Sequence, residues 1–298
     1  MKKNDSVLFT PLRIGGVTMK NRFEAAPGLP QSEQSLRNLI FTAERAAGGS
    51  GLVCLGEAVV HARTGYCHKN NITLDDEDNA TTLMELADTI RRYGALSSVQ
   101  LIHSGRRANP SHLVGGDRVY GPSAGDGVYG NKVYELTEEL IEEIVEAFAH
   151  GAMLARYSGL DMVMVHAAHG WLPHQFLSPL NNRRGDRFGG SIENRARFLL
   201  MIIDRIKRAC GNDYPVDVRI SGAELYEGGY GVDDMVELAK LIDGKADMIH
   251  VSASTFHNRD GMVRLYPSQY AEHGLNVEYA AKIKAAVGIP VAVVGAMD

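Results

Sequence analysis

Met162-Val163-Met164-Val165-His166-Ala167-Ala168-His169-Gly170-Trp171 is the stretch on which the reading of this chain turns. Its apolar, β-branched start is a buried strand, and it breaks into a polar loop with two imidazoles three residues apart. The loop continues as Leu172-Pro173-His174-Gln175-Phe176-Leu177-Ser178-Pro179, then through a charged run from Asn181 to Arg195. His166 and His169 admit three readings: metal ligands, hydrogen-bonded core residues, or paired donors gripping one oxygen atom. A metal would need a third protein ligand, and no carboxylate or thiol stands close in sequence. The charged run reads as structural, its arginines pairing with Asp186 and Glu193 across a loop into a helix start.

The same strand-then-loop pattern recurs in both directions. Strands are expected near 22–26, 51–55, 96–102, 161–166, 215–220, 247–252 and 290–294, with helices near 35–48, 79–93, 137–157, 191–209, 232–243 and 276–287. Thr137 and Ser191 stand where capping hydroxyls belong, each followed by acidic residues. Leu140, Ile141, Ile144, Val145, Phe148 and Met153 form the expected core stripe of the 137–157 helix. Leu12 to Lys20, with Gly15-Gly16 at its centre, reads as a hairpin. Segments 104–136 and 255–274 are long and aperiodic, as functional loops are.

Alternating βα units with polar residues gathered after the strands predict a single-domain TIM-type (β/α)8 barrel spanning 1–298, with an N-terminal hairpin. A doubly wound sheet would bring a glycine-rich turn after its first strand, and Pro27-Gly28-Leu29-Pro30 is not one. The chain stops at Asp298, just past strand seven, so a missing eighth βα unit and a C-terminally truncated domain are expected.

Composition narrows the class. Hydrophobic residues make up 45% and charged residues 22%, as in a globular protein. A formal charge of −5 argues against nucleic-acid and anionic-membrane partners. No apolar run is long enough to span a membrane, and residues 1–6 lack a signal-peptide core, so a cytoplasmic location is expected. Cys54, Cys67 and Cys210 are too widely spaced for a metal or disulfide framework and read as buried thiols. No metal site is expected.

The 162–195 stretch resembles the signature of the Old Yellow Enzyme family of flavin-dependent ene-reductases. Pro11 to Gly15, Lys20 to Phe23, and Gln100-Leu101-Ile102-His103-Ser104-Gly105-Arg106 carry the same resemblance elsewhere, over residues 8–298. It is most similar to the dienoyl-coenzyme-A reductase and enoate reductase branch. The resemblance implies FMN as cofactor, NADH or NADPH as reductant, and an α,β-unsaturated carbonyl or enoate as substrate. Ala26, Pro27, Gly28, Ala58, Gln100, Arg219 and Gly295 would contact FMN, with Gly28 standing where the family has methionine. His166 and His169 would polarise the substrate carbonyl.

Trp171 replaces the family's proton-donating tyrosine, and an indole N–H does not titrate. The proton would then come from His257, a loop tyrosine such as Tyr226, or water. Long members of that branch continue with a 4Fe-4S cluster and an FAD domain, expected only in a C-terminal part. A homo-oligomer is compatible. The rival readings are a flavin amine dehydrogenase or demethylase, in which Trp171 joins an aromatic cage, and a catalytically incomplete fragment.

Overall fold

The computed structural model describes residues 6–28, 35–68, 71–116, 118–256 and 261–297. Among these, seven parallel strands hydrogen-bond in chain order: β1 (Glu24–Ala25), β2 (Leu52–Val59), β3 (Leu96–Ile102), β4 (Met162–Ala167), β5 (Val216–Ser221), β6 (Met248–Ser252) and β7 (Val291–Val293). Between them run α1 (Ser35–Ala47), α2 (Ala80–Arg91), α3 (Glu138–Tyr157), α4 (Ile192–Cys210), α5 (Val232–Ile242) and α6 (Val277–Ala286). This is the wall of an α/β barrel with helices outside. Most elements lie within two residues of their expected ends. Strand β2 instead continues to Val59, where the short strand Ile72–Thr73 joins it.

Period-2 alternation divides the strands between two environments. Val53, Leu55, Val99, Leu101, Val163, Val165, Val216, Val218, Ile249 and Val251 pack into the core that the helices cover. Their alternates, Cys54, Ser98, Gln100, Met164, His166, Asp217, Arg219 and His250, therefore fill the barrel lumen. Every residue of β4 and β5 is buried, so the lumen is shielded from bulk solvent and unusually polar. All three cysteines are buried and free.

The hairpin Leu12–Ile14/Val17–Met19 pairs antiparallel as expected. Gly15 sits at φ +51°, and a Cβ there would meet Asp247 Oδ1 at 2.6 Å, so the turn accepts only glycine. Ile14 and Met19 pack on Leu52, Met162 and Met248, which plugs the lower end of the barrel.

Thr137 caps α3 by accepting from the Leu140 amide (3.3 Å), and Ser191 caps α4 by accepting from that of Asn194 (3.4 Å). Ile141, Ile144, Val145 and Phe148 form the buried stripe of α3. Met153 does not join it, being 44% exposed, because Ala149, Ala152 and Ala155 carry the buried face onward.

Segment 104–136 is more ordered than its composition implies. It folds a small sheet from Val119–Gly121, Gly125–Asp126 and Lys132–Glu135. Arg184 fastens this sheet to the charged run: its guanidinium donates to the carbonyls of Pro122 (3.0 Å) and Leu136 (2.7 Å) and pairs with Asp186 (2.6 Å). Segment 255–274 contains the one-turn helix Met262–Leu265.

Candidate functional site

A cavity of about 340 Å³ opens at the C-terminal ends of the strands, a size suited to small molecules. One wall is Ala26, Pro27 and Gly28, just past β1. Gln100 of β3, His166 of β4 and Arg219 of β5 rise from the lumen, and His169 closes the set from the loop after β4. Seven of the residues singled out from sequence thus converge, contributed by strands up to 193 residues apart in the chain.

Ala58 does not reach this cavity. It is fully buried in the core between sheet and helices, because a bulge between Leu55 and Ala58 inserts an extra residue and exchanges the faces of β2. Gly56 and Glu57 line the cavity instead. A Cβ on Gly56 would stand 3.1 Å from the carbonyl carbon of Pro27, so bare backbone is required at that wall.

Unlike its neighbour Val294, Gly295 is not among the cavity-lining residues. Its φ of +124° and the approach of Asn276 Nδ2 (2.7 Å from a built Cβ) exclude other residues. Tyr226 is 53% exposed and does not line the cavity. His257 lies outside the described residues.

His166 and His169 stand with ring centroids 5.0 Å apart and planes at 87°. Burial, then each other's proximity and that of Arg219, holds the His166 imidazole well below its ordinary pKa. Burial and Arg219 do the same for His169. Both rings are therefore neutral at physiological pH. The Ala168 amide donates to His166 Nδ1 (3.3 Å), which leaves the ring proton on Nε2. His169 Nε2 lies 2.8 Å from Ser252 Oγ; a hydroxyl donating there leaves the proton on Nδ1. Each ring can then present one N–H to an oxygen without carrying charge. His169 holds φ +58°, a strained backbone that the Ser221 hydroxyl steadies by accepting its amide at 3.2 Å.

Trp171 is buried beside His166, its ring 5.8 Å from the imidazole and 6.3 Å from that of Phe256. Its indole nitrogen has no hydrogen-bond partner among the described residues. Packed against Val59, Cys67 and Ile102, it backs the histidine pair and does not line the cavity. Arg107 stacks over Phe256 (4.2 Å), adding a cation near this aromatic wall.

Nine of the sixteen cavity-lining residues were not named as site residues from the sequence, among them Tyr266, Glu57 and Phe256. Tyr266 is the one tyrosine among those described at the wall, its phenol pushed up by burial and by Glu57. Glu57 has its carboxyl raised by burial, against the opposing pull of Asn71, Arg219 and Arg107. Phe256 completes the set. Tyr266 follows a one-turn helix inside an aperiodic segment, so no spacing rule placed it. Glu57 faces inward only because of the bulge.

The Arg219 guanidinium is 8% exposed with Nε unpartnered, and burial, opposed by Glu24 and Cys54, lowers its pKa. A buried cation with an orphaned N–H at a cavity wall calls for an electron-rich ligand edge. Among the described residues, no helix is long and apolar enough to cross a membrane.

Comparison with known proteins agrees with this architecture. The chain is 36% identical over 294 residues to an NADH oxidase of Thermoanaerobacter brockii, covering 97% of this chain and 45% of that protein. It is 33% identical over 297 residues to an NADPH dehydrogenase of Listeria welshimeri, covering 97% and 83%. The chain therefore spans less than half of the first relative and most of the second.

Three solved structures share the fold. A 2-naphthoyl-CoA reductase in complex with 2-naphthoyl-CoA superposes with TM-score 0.86 at 28% identity over 96% of this chain and 46% of that one. Histamine dehydrogenase from Rhizobium sp. 4-9 gives 0.89 at 24% identity, over 97% and 42%. Old Yellow Enzyme from Pichia sp. AKU4542 gives 0.76 at 25%, over 97% and 83%. The family model of the NADH:flavin oxidoreductases and NADH oxidases matches residues 7–298, and the chain belongs to that family.

Proposed function

We propose that this barrel is an ene-reductase of the dienoyl-coenzyme-A and enoate reductase branch, acting on the C=C bond of an α,β-unsaturated carbonyl compound with NADH or NADPH as reductant. The observation that carries the reading is the neutral His166–His169 pair at the cavity wall, two rings each with an N–H to offer a substrate oxygen. Adding hydride to a conjugated alkene moves negative charge onto the carbonyl oxygen, and two preorganised donors stabilise that charge. A cationic amine would meet two donors and Arg219, which disfavours the amine dehydrogenase reading.

The residues present fit FMN: an orphaned Arg219 N–H, the Gln100 amide, and bare backbone at Gly28 and Gly56. Bound FMN would supply the two-electron, hydride-donating chemistry. Arg219 would hold its electron-rich edge, Gln100 its pyrimidine edge, and Pro27 its face. Gly295 would bring a backbone N–H to its phosphate. The proton that completes the product would come from Tyr266, His257 or the raised carboxyl of Glu57. Trp171 would keep water from the histidine pair.

The test is steady-state reduction of 2-enoates and enoyl thioesters under anaerobic conditions, with methylamines as the control substrate. His166→Ala and His169→Ala are each expected to slow enoate reduction by about 10²-fold, the cost of one oxyanion donor. NAD(P)H-driven bleaching of the flavin should change little. Turnover of methylamines but not enoates, or variants that reduce enoates at the parent rate, would overturn the proposal. Tyr266→Phe should lower turnover about 10²-fold if its phenol is the acid.

A further inference from the structure

Below the cavity, the barrel lumen contains a second polar set, close to Arg219, whose groups approach one another without well-formed hydrogen bonds. Glu24 of β1, Asp217 of β5 and His250 of β6 bring one ligand atom each to within 4.8 Å of one another. Glu24 Oε2 lies 3.4 Å and Asp217 Oδ2 3.9 Å from His250 Nδ1. Asp217 is fully buried, His250 is 1% exposed, and the Glu24 side chain is 9% exposed. Both oxygens of each carboxylate and both nitrogens of the imidazole lack a hydrogen bond.

We infer that Glu24, Asp217 and His250 form a binding site for one divalent transition-metal ion of the zinc class, inside the barrel.

Three physical arguments converge on this. Six polar atoms without a hydrogen bond in one buried layer impose a desolvation cost of several kcal/mol per ionised group, and the single charge of Arg219 nearby cannot balance two carboxylates. The donors are mixed carboxylate and imidazole, the set that zinc-class ions accept. With metal–ligand bonds of about 2.0–2.2 Å, tetrahedral ligand atoms stand roughly 3.3–3.5 Å apart. The Glu24–His250 edge already meets that spacing, and the Asp217 edge is a few tenths of an ångström wider. Glu24 sits on a two-residue strand and has the reach to close the remaining edge.

The surroundings agree. The Ser98 hydroxyl is buried nearby and meets the Cys54 thiol. Cys54 shares the layer, close to Glu24 and Asp217. A proton on Asp217 is the rival occupant of this layer. The two occupants, proton and metal, make opposite predictions. Asparagine is the neutral isostere of a protonated Asp217 and would be tolerated, whereas a metal site would lose a ligand.

The experiment is elemental analysis of the purified full chain after a brief chelator wash, together with thermal melts. The expected result is close to one equivalent of zinc or a neighbouring divalent metal per chain. Asp217→Asn and Glu24→Gln should each lower that content at least tenfold and lower Tm. Metal-depleted wild-type protein, refolded with Co2+, should show a visible ligand-field band and regain Tm. A metal-free chain whose Tm ignores added Zn2+, Mn2+ and Co2+ would overturn the inference, as would an Asp217→Asn variant at least as stable as the parent. Should both variants fail to fold, the Co2+ titration of the wild-type chain decides alone. None of these readouts depends on ene-reduction, so the two proposals can fail separately.

Discussion

Two buried carboxylate–imidazole sets occupy this barrel, and they are opposites in pairing. In the first, His174 Nε2 meets Glu224 Oε1 at 3.0 Å, Tyr230 Oη meets His174 Nδ1 at 3.0 Å, and Ser178 and the Tyr230 amide donate to Glu224 Oε2. Burial pushes the Glu224 carboxyl up, yet those donors outweigh it and leave the group below its ordinary pKa. In the second, Glu24, Asp217 and His250 lie near one another and near Arg219, but their side-chain oxygens and nitrogens make no hydrogen bond to a side-chain donor among the described residues. Equal burial, then, does not make equal chemistry. Where donors converge a buried carboxylate is a structural tie, and where none do it is a place for a cation.

The two sets also differ in what they position. The satisfied one locks the short helix Leu172–Leu177 to the loop after β5, directly behind Trp171 and the histidine pair. The orphaned one lies in the lumen beneath Arg219 and has no loop to hold.

The sharpest way to break the comparison is Glu224→Ala. It strands His174, Ser178 and Tyr230 together and is expected to cost about 3–5 kcal/mol, read from urea midpoints. A loss below about 1 kcal/mol would mean that the network is not the tie described. Asp217→Asn is the counterpart on the orphaned side, where the loss should appear in metal-loaded protein and vanish in depleted protein.

Acid titration sharpens the contrast through a third class of buried group. His103, His166 and His169 are all held well below the ordinary imidazole pKa, burial being the first cause in each. Below the unfolded value of about 6.5, the unfolded chain binds protons that the native one refuses. Stability is therefore intact above that pH and falls as pH drops, by up to about 1.4 kcal/mol per unit for each ring. Glu224, depressed in the native state, adds its own loss only near and below the ordinary glutamate range. Urea midpoints at pH 7.5, 6.5 and 5.5 should decline in that order, and a flat profile would contradict neutral rings. The smallest effect is expected from Ser178→Ala, about 1 kcal/mol, because Glu224 Oε2 keeps the Tyr230 amide.

Particular residues show where sequence reading succeeds. Gln100, His166 and Arg219 each end a strand of alternating character, so their arrival at one cavity follows from barrel topology once the strands are counted. His103 shows the limit. Its ring is fully buried and tied to Thr64 (2.8 Å), a partner 39 residues away that no pattern announced. Glu57, Tyr266 and Phe256 were missed because a bulge and an aperiodic loop placed them, and both act below the resolution of periodicity.

The sequence by itself determined the order of strands and helices and the pair of histidines at the end of β4. These are local properties, set by side-chain alternation, capping and apolar spacing. Tertiary structure alone decided that Ala58 turns into the core, that Tyr266 comes to the cavity, and that Glu24, Asp217 and His250 meet. Alternation says that a residue points inward; only the curling of the sheet, which brings residues of β1, β5 and β6 together, says what it finds there.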